Sequence, residues 1–216
     1  MGSYTLNKAE INKSPNTSLI VVDNFYENPD YVRQLALKEK MRTGGLGKGY
    51  MGSRSVDFFF APQMKEVFEE ILRGEISNWY DGNYCNGVFQ FCVKGDPLVY
   101  HCDGQDWAGA IYLTPDAPYN TGTSFFASKR NKQRGGIGSS FDCDVVFSPE
   151  KDEDPFLNPN LYEKVDEVGN IYNRLVLWDA RLIHAASEYF GDKPENSRLF
   201  HLFFFNLKGK QRMESI

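Results

Sequence analysis

The chain has 216 residues, 41% of them hydrophobic and 25% charged, and a formal net charge of −5. That length fits one large domain, the negative balance provides no field for attracting a nucleic-acid backbone, and no run of 18 apolar residues is present to cross a membrane as a helix. Aromatic residues reach 15%, with 17 Phe and 12 Tyr, which suits a β-rich core.

The start, Met1-Gly2-Ser3-Tyr4, is polar and lacks the apolar segment of a secretory leader. Cys85, Cys92, Cys102 and Cys143 contain no C-x-x-C pair, and four cysteines in a chain of this length do not make a disulfide framework. A reduced, cytoplasmic protein is the expectation. Leu19 to Asp23 (LIVVD) reads as an opening strand. Asn28-Pro29 then reads as an N-cap and first helical residue, followed by Val32, Leu35 and Ala36 at helical spacing. Gly44, Gly45, Gly47, Gly49 and Gly52 predict a mobile loop. Met64, Val67, Phe68, Ile71 and Leu72 form one stripe of an amphipathic helix.

From about Val88 the pattern changes to short strands separated by Gly, Pro, Asp and Asn: GVFQFCV, LVYHCD, GAIYLT, GTSFFAS, RLVLWDA and RLFHLFFFN. Between Lys129 and Asn173 lies a long polar excursion. Lys129, Arg130, Lys132 and Arg134 make its start a basic, solvated loop. The whole reads as a single domain, mainly β with flanking helices (α+β). Residues 15–80 supply the strand and supporting helices, and residues 84–207 the β core with an insertion at about 129–173.

His101 and Asp103 are separated by Cys102 alone. On an extended segment residues i and i+2 point to the same side, so one imidazole and one carboxylate can face one ion. His184, at the end of an apolar segment far downstream, can complete a set of two imidazoles and one carboxylate. That set leaves three positions open, as in non-haem Fe(II) oxygenases. Arg198 follows 14 residues after His184 and opens a strongly apolar strand. A guanidinium in a barrel mouth is suited to a bidentate carboxylate contact.

His101-x-Asp103, the distant His184 and Arg198 resemble the pattern of Fe(II)/2-oxoglutarate-dependent dioxygenases, most closely the prolyl-hydroxylase-like branch. AIYLT is similar to that branch's strand with a tyrosine toward 2-oxoglutarate, which Tyr112 matches. TGTSFFAS resembles its next strand, and RLVLWDARLIHAAS its strand-turn-strand with the second histidine. The match runs from Phe89 to Asn206. The turn between His184 and Arg198 is longer than in that branch, and residues 129–173 have no counterpart there. The resemblance implies a double-stranded β-helix, a jelly-roll of two sheets. It implies His101, Asp103 and His184 as ligands of Fe(II), and Arg198 and Tyr112 as holders of 2-oxoglutarate. It implies O2 as the second co-substrate, and succinate, CO2 and a hydroxylated small molecule or peptide side chain as products. The segment 44–52 and part of 129–173 are expected to flank the iron and close over substrate.

A radical halogenase needs the carboxylate ligand replaced by a small residue, and Asp103 is present. A nucleic-acid demethylase carries a second arginine six residues after the first, where this chain has Phe204. The alternative from another class is a cupin-like metal-binding barrel, which needs neither Arg198 nor Tyr112. His201 lies three residues past Arg198 and so on the opposite face of the strand, as a core histidine. Trp107 is read as a roof over the site or a packed aromatic, and Gln90 as a further co-substrate contact.

Overall fold

The computed structural model describes residues 18–45, 50–79, 86–136 and 156–209. Ten strands, two α-helices and three short 3-10 turns are defined among them. The strands are β1 (Leu19–Val22), β2 (Met41–Gly45), β3 (Tyr50–Ser55), β4 (Val88–Cys92), β5 (Trp107–Tyr112), β6 (Thr123–Ser128), β7 (Tyr162–Val168), β8 (Leu175–Asp179), β9 (His184–Ala186) and β10 (Arg198–Phe205). Helix α1 (Pro29–Lys38) starts where Asn28 accepts a hydrogen bond from the Tyr31 N–H and Pro29 sets the first helical φ. Helix α2 (Met64–Leu72) buries Met64, Phe68, Ile71 and Leu72 on one face and ends at Arg73 in the left-handed region.

The strands form two antiparallel sheets. The larger has the order β1-β8-β5-β10-β4-β3-β2 and the smaller β7-β6-β9. An isolated bridge pairs His101 with His184, so the chain before β5 joins the smaller sheet beside β9. From β4 onward the chain passes back and forth between the sheets, with β6 and β7 as the one successive pair that stays in the smaller sheet, which is the winding of a jelly-roll.

Period-2 alternation sorts the core into two layers. On β10, Leu199, Phe203 and Phe205 pack with the helices, while Phe200, Leu202 and Phe204 face the space between the sheets. Phe68 of α2 anchors the helical layer through ring contacts with Phe25, Trp79, Phe203 and Phe205. Truncating such a ring costs about 3–5 kcal/mol. The inner layer takes Val88 and Cys92 from β4, Ala108, Ala110 and Tyr112 from β5, Val176 and Trp178 from β8, and Phe125 from β6.

Three stretches depart from the sequence expectation. The glycine-rich stretch contains strands β2 and β3, because β4 provides a partner: Ser53 pairs with Phe91 and Arg54 with Gln90. The polar excursion contains β7, whose side chains are exposed along most of its length and so lack apolar alternation. LVYHCD is a strand only at the His101 bridge. Residues 46–49 and 137–155 of the two expected lids, and Cys85 and Cys143, lie outside the described residues. Among the described residues, no helix is long and apolar enough to cross a membrane.

Candidate metal centre

His101, Asp103 and His184 converge, with one ligand atom from each within 4.8 Å of the others. Cys102, Ile183 and Ala185 pack in the cluster on the outer side of the smaller sheet, so their alternating neighbours turn inward. Asp103 is fixed by its backbone N–H, which donates to the Ala180 carbonyl at 2.7 Å. The two imidazole centroids are 4.3 Å apart, and the Trp178 ring stands edge-on to His184 at 5.0 Å.

The hydrogen bonds set the chemistry of the three groups. His101 Nδ1 lies 2.9 Å from the Val99 carbonyl, and His184 Nδ1 lies 2.8 Å from the Leu182 carbonyl. A carbonyl only accepts, so each Nδ1 donates and each neutral ring presents Nε2 as a lone pair. His101 Nε2 is 3.6 Å from Asp103 Oδ1, and His184 Nε2 is 3.2 Å from Asp103 Oδ2. Asp103 Oδ2 is buried and receives no hydrogen bond. Two imidazole lone pairs and an unsatisfied carboxylate oxygen facing one another need a cation between them. The residues present therefore fit a divalent metal.

Electrostatics favour the ligating forms. Burial pulls the His101 imidazole below its usual range; the nearby His184 and Arg54 push the same way, against Asp103 and the Val99 carbonyl. For Asp103 burial is the largest influence and raises the pKa. Either imidazole when protonated, together with Arg54, outweighs it and holds the carboxyl below its ordinary value.

Arg198 opens β10 on the inward face and is 5% exposed. Its Nε donates to the Thr121 carbonyl at 2.9 Å, and Nη2 to the Gly122 carbonyl at 3.1 Å and the Thr123 hydroxyl at 3.2 Å. All three acceptors are neutral, and no carboxylate among the described residues forms an ion pair with it. The guanidinium lies 4.4 Å from the Phe200 ring and 5.3 Å from the Tyr112 ring. The Tyr112 phenol is 2.8 Å from the same Thr123 hydroxyl, and burial raises its pKa. Thr123 therefore joins Arg198 and Tyr112. On β6, Thr123 pairs with Ala186 and Phe125 with His184. The arginine cluster thus sits one inward-facing step, about 7 Å, along the strand from the histidine.

Of the other sequence candidates, His201 faces the helical layer, where Nδ1 meets the Tyr26 hydroxyl at 2.7 Å. Trp107 packs in the helical layer and does not roof the site; Trp178 is the tryptophan beside His184. Gln90 bonds to protein groups, accepting from Arg54 Nε at 2.6 Å and donating to the Met51 carbonyl at 2.9 Å. Thr123 and Arg54 were not singled out from sequence: a threonine in a strand carries no signal, and Arg54 sits in a stretch whose glycines conceal the strand.

No protein-family model matches the chain, and no curated protein matches it. Among solved structures it is similar to HygX from Streptomyces hygroscopicus with nickel, 2-oxoglutarate and hygromycin B bound. Identity is 11% and the TM-score 0.49, over 93% of this chain and 87% of that chain. HygX with iron bound gives 11% identity and a TM-score of 0.46, over 93% of this chain and 86% of that chain. A likeness this distant assigns no activity and no residue role to the present chain.

Proposed function

We propose that this chain is a non-haem Fe(II)- and 2-oxoglutarate-dependent dioxygenase that hydroxylates an unactivated C–H bond and releases succinate and CO2. The observation that carries the reading is the convergence of two Nε2 lone pairs and Asp103 Oδ2 one strand step from a buried arginine that has no carboxylate partner among the described residues. When bound, Fe(II) would supply the open positions at which O2, the oxidant, is activated for C–H cleavage. His101, Asp103 and His184 hold it from one side, because the Val99 and Leu182 carbonyls fix both ring orientations. Arg198 offers its charge to the far carboxylate of 2-oxoglutarate. Tyr112, on the neighbouring strand, adds a phenolic donor beside Thr123. The Phe200 and Tyr112 rings keep water from the guanidinium and so strengthen that contact. This pairing of Tyr112 with Arg198 also supports the prolyl-hydroxylase-like branch. The primary substrate is a small molecule or a peptide side chain.

The test is succinate formation from 2-oxoglutarate by the purified chain. Succinate is expected only when Fe(II) and O2 are both supplied, and not from Asp103→Ala. Absence of succinate from wild type under those conditions would overturn the proposal.

A further inference from the structure

Thr123 of β6 is the point where Tyr112 of β5 and Arg198 of β10 meet, and all three side chains are buried. The hydrogen bonds there can be counted. Arg198 Nε and Nη2 donate to the Thr121 and Gly122 carbonyls and, at 3.2 Å, to the Thr123 hydroxyl. A guanidinium only donates, so Thr123 Oγ1 is the acceptor in that contact. The Tyr112 and Thr123 hydroxyls lie 2.8 Å apart, which is one hydrogen bond in either direction. Two hydroxyls carry two hydrogens, and the bond between them uses one. The other hydrogen has no acceptor among the described residues, although both groups are buried. A buried donor without an acceptor is destabilising, and an oxygen of a bound ligand satisfies it.

Which hydrogen is left over decides what a ligand meets. If Tyr112 donated to Thr123, the phenol would have no hydrogen to offer and the spare one would lie on Thr123. The contact from Arg198 selects the opposite order. A hydroxyl that accepts from a cation is polarised into a better donor, and hydrogen bonds aligned in one direction strengthen one another. The favoured run is Arg198 N–H to Thr123 Oγ1, Thr123 O–H to Tyr112 Oη, and Tyr112 O–H to the ligand. It starts at a positive charge and so ends best on a negative one. We infer that Thr123 is a positioning residue: it turns the Tyr112 hydroxyl hydrogen away from itself and toward the far carboxylate of 2-oxoglutarate. Arg198 meets the same carboxylate through Nη1, the end of its fork that the Thr121, Gly122 and Thr123 contacts do not use. The inference rests on the Fe(II)/2-oxoglutarate reading above.

The experiment uses the full chain with Fe(II) bound and O2 excluded, so that nothing turns over. 2-Oxoglutarate is titrated by calorimetry into wild type, Thr123→Val, Thr123→Ser, Tyr112→Phe and the double variant Thr123→Val/Tyr112→Phe. Valine keeps the branched shape of threonine without the hydroxyl, and serine keeps the hydroxyl. Thr123→Val and Tyr112→Phe are each expected to lose about tenfold in 2-oxoglutarate affinity. Thr123→Ser is expected within about threefold of wild type, and the double variant within about twofold of the weaker single variant, because both changes break the same run. Fe(II) affinity, measured before the co-substrate is added, is expected within about twofold of wild type throughout, since neither residue is among the converging ligands. It also reports that the variants are folded. If Thr123→Val does not fold, Thr123→Ala takes its place in every comparison. Unchanged 2-oxoglutarate affinity in Thr123→Val or in Tyr112→Phe would overturn the inference. So would a serine variant as weak as the valine one, losses that multiply in the double variant, or an equal loss for Fe(II). Failure of wild type to bind 2-oxoglutarate would instead overturn the underlying reading, and is seen before any variant is titrated.

Discussion

His101 and His184 exchange both backbone hydrogen bonds, at 3.1 Å from the His101 N–H and 2.9 Å from the His184 N–H. This reciprocal pair brings two residues 83 positions apart (184 − 101) face to face, with both side chains on the inner surface. A slip of one residue would send one imidazole to the outer face, where Cys102 and Ile183 now pack. The metal centre thus depends on strand register.

His184→Ala is expected to lower Fe(II) affinity by more than the roughly 10–100-fold that loss of a mere supporting partner costs. The backbone pair with His101 does not need the imidazole, so the fold is expected to persist. Metal titration and far-UV circular dichroism on the same sample check this. Undiminished Fe(II) binding by the folded variant would remove His184 from the ligand set.

Arg198→Lys keeps a cation at the start of β10 but loses the planar fork. A hydrogen bond to a charged group contributes about 1.5–3 kcal/mol, so 2-oxoglutarate affinity is expected to fall about tenfold or more. Fe(II) affinity is expected to be unchanged, since Arg198 is outside the converging set. Equal 2-oxoglutarate affinity in the two proteins would leave only a metal-binding barrel.

Gly122 links the arginine to strand packing. A Cβ there would stand 1.9 Å from the Val168 carbonyl oxygen, and that backbone is fixed by the Thr123–Val168 pair. Gly122→Ala is expected to destabilise the chain by about 1–3 kcal/mol and to weaken 2-oxoglutarate binding, because the Gly122 carbonyl accepts from Arg198. Thermal unfolding and a 2-oxoglutarate titration read the two effects; a wild-type melting temperature would contradict the packing argument.

Burial pulls the His201 imidazole from its ordinary 6.5 down to about 3. The unfolded chain then takes up the proton first as pH falls. The contribution of the neutral ring to stability is complete above pH 6.5 and is lost as pH drops toward 3, by about 1.4 kcal/mol per pH unit. Compared with His201→Gln, the wild type is expected to lose about 2 kcal/mol more between pH 6.5 and 5. Urea unfolding at the two pH values measures this, and equal losses would refute it.

The converging residues were legible because their signals are local or categorical. His101-x-Asp103 is a two-residue spacing, and a chain with three histidines leaves few partners. The parity of β10 separated Arg198 from His201 without any knowledge of the fold. Arg54 was not legible, because β3 is a strand through its pairing with β4 and not through its own alternation. Thr123 was hidden for a similar reason: its role comes from standing opposite Ala186 across the smaller sheet, within reach of an arginine 75 residues later. Long-range pairing, and not local propensity, decided both positions.

The most direct measurement is a calorimetric titration of 2-oxoglutarate into the full chain under anaerobic conditions, with Fe(II) bound and again after the metal is chelated away. One equivalent is predicted to bind in the presence of Fe(II), with affinity reduced by about tenfold or more once the metal is removed, since one end of the molecule then loses its partner. Absence of binding with Fe(II) present, or equally tight binding without it, would contradict a centre built from His101, Asp103 and His184 to serve 2-oxoglutarate.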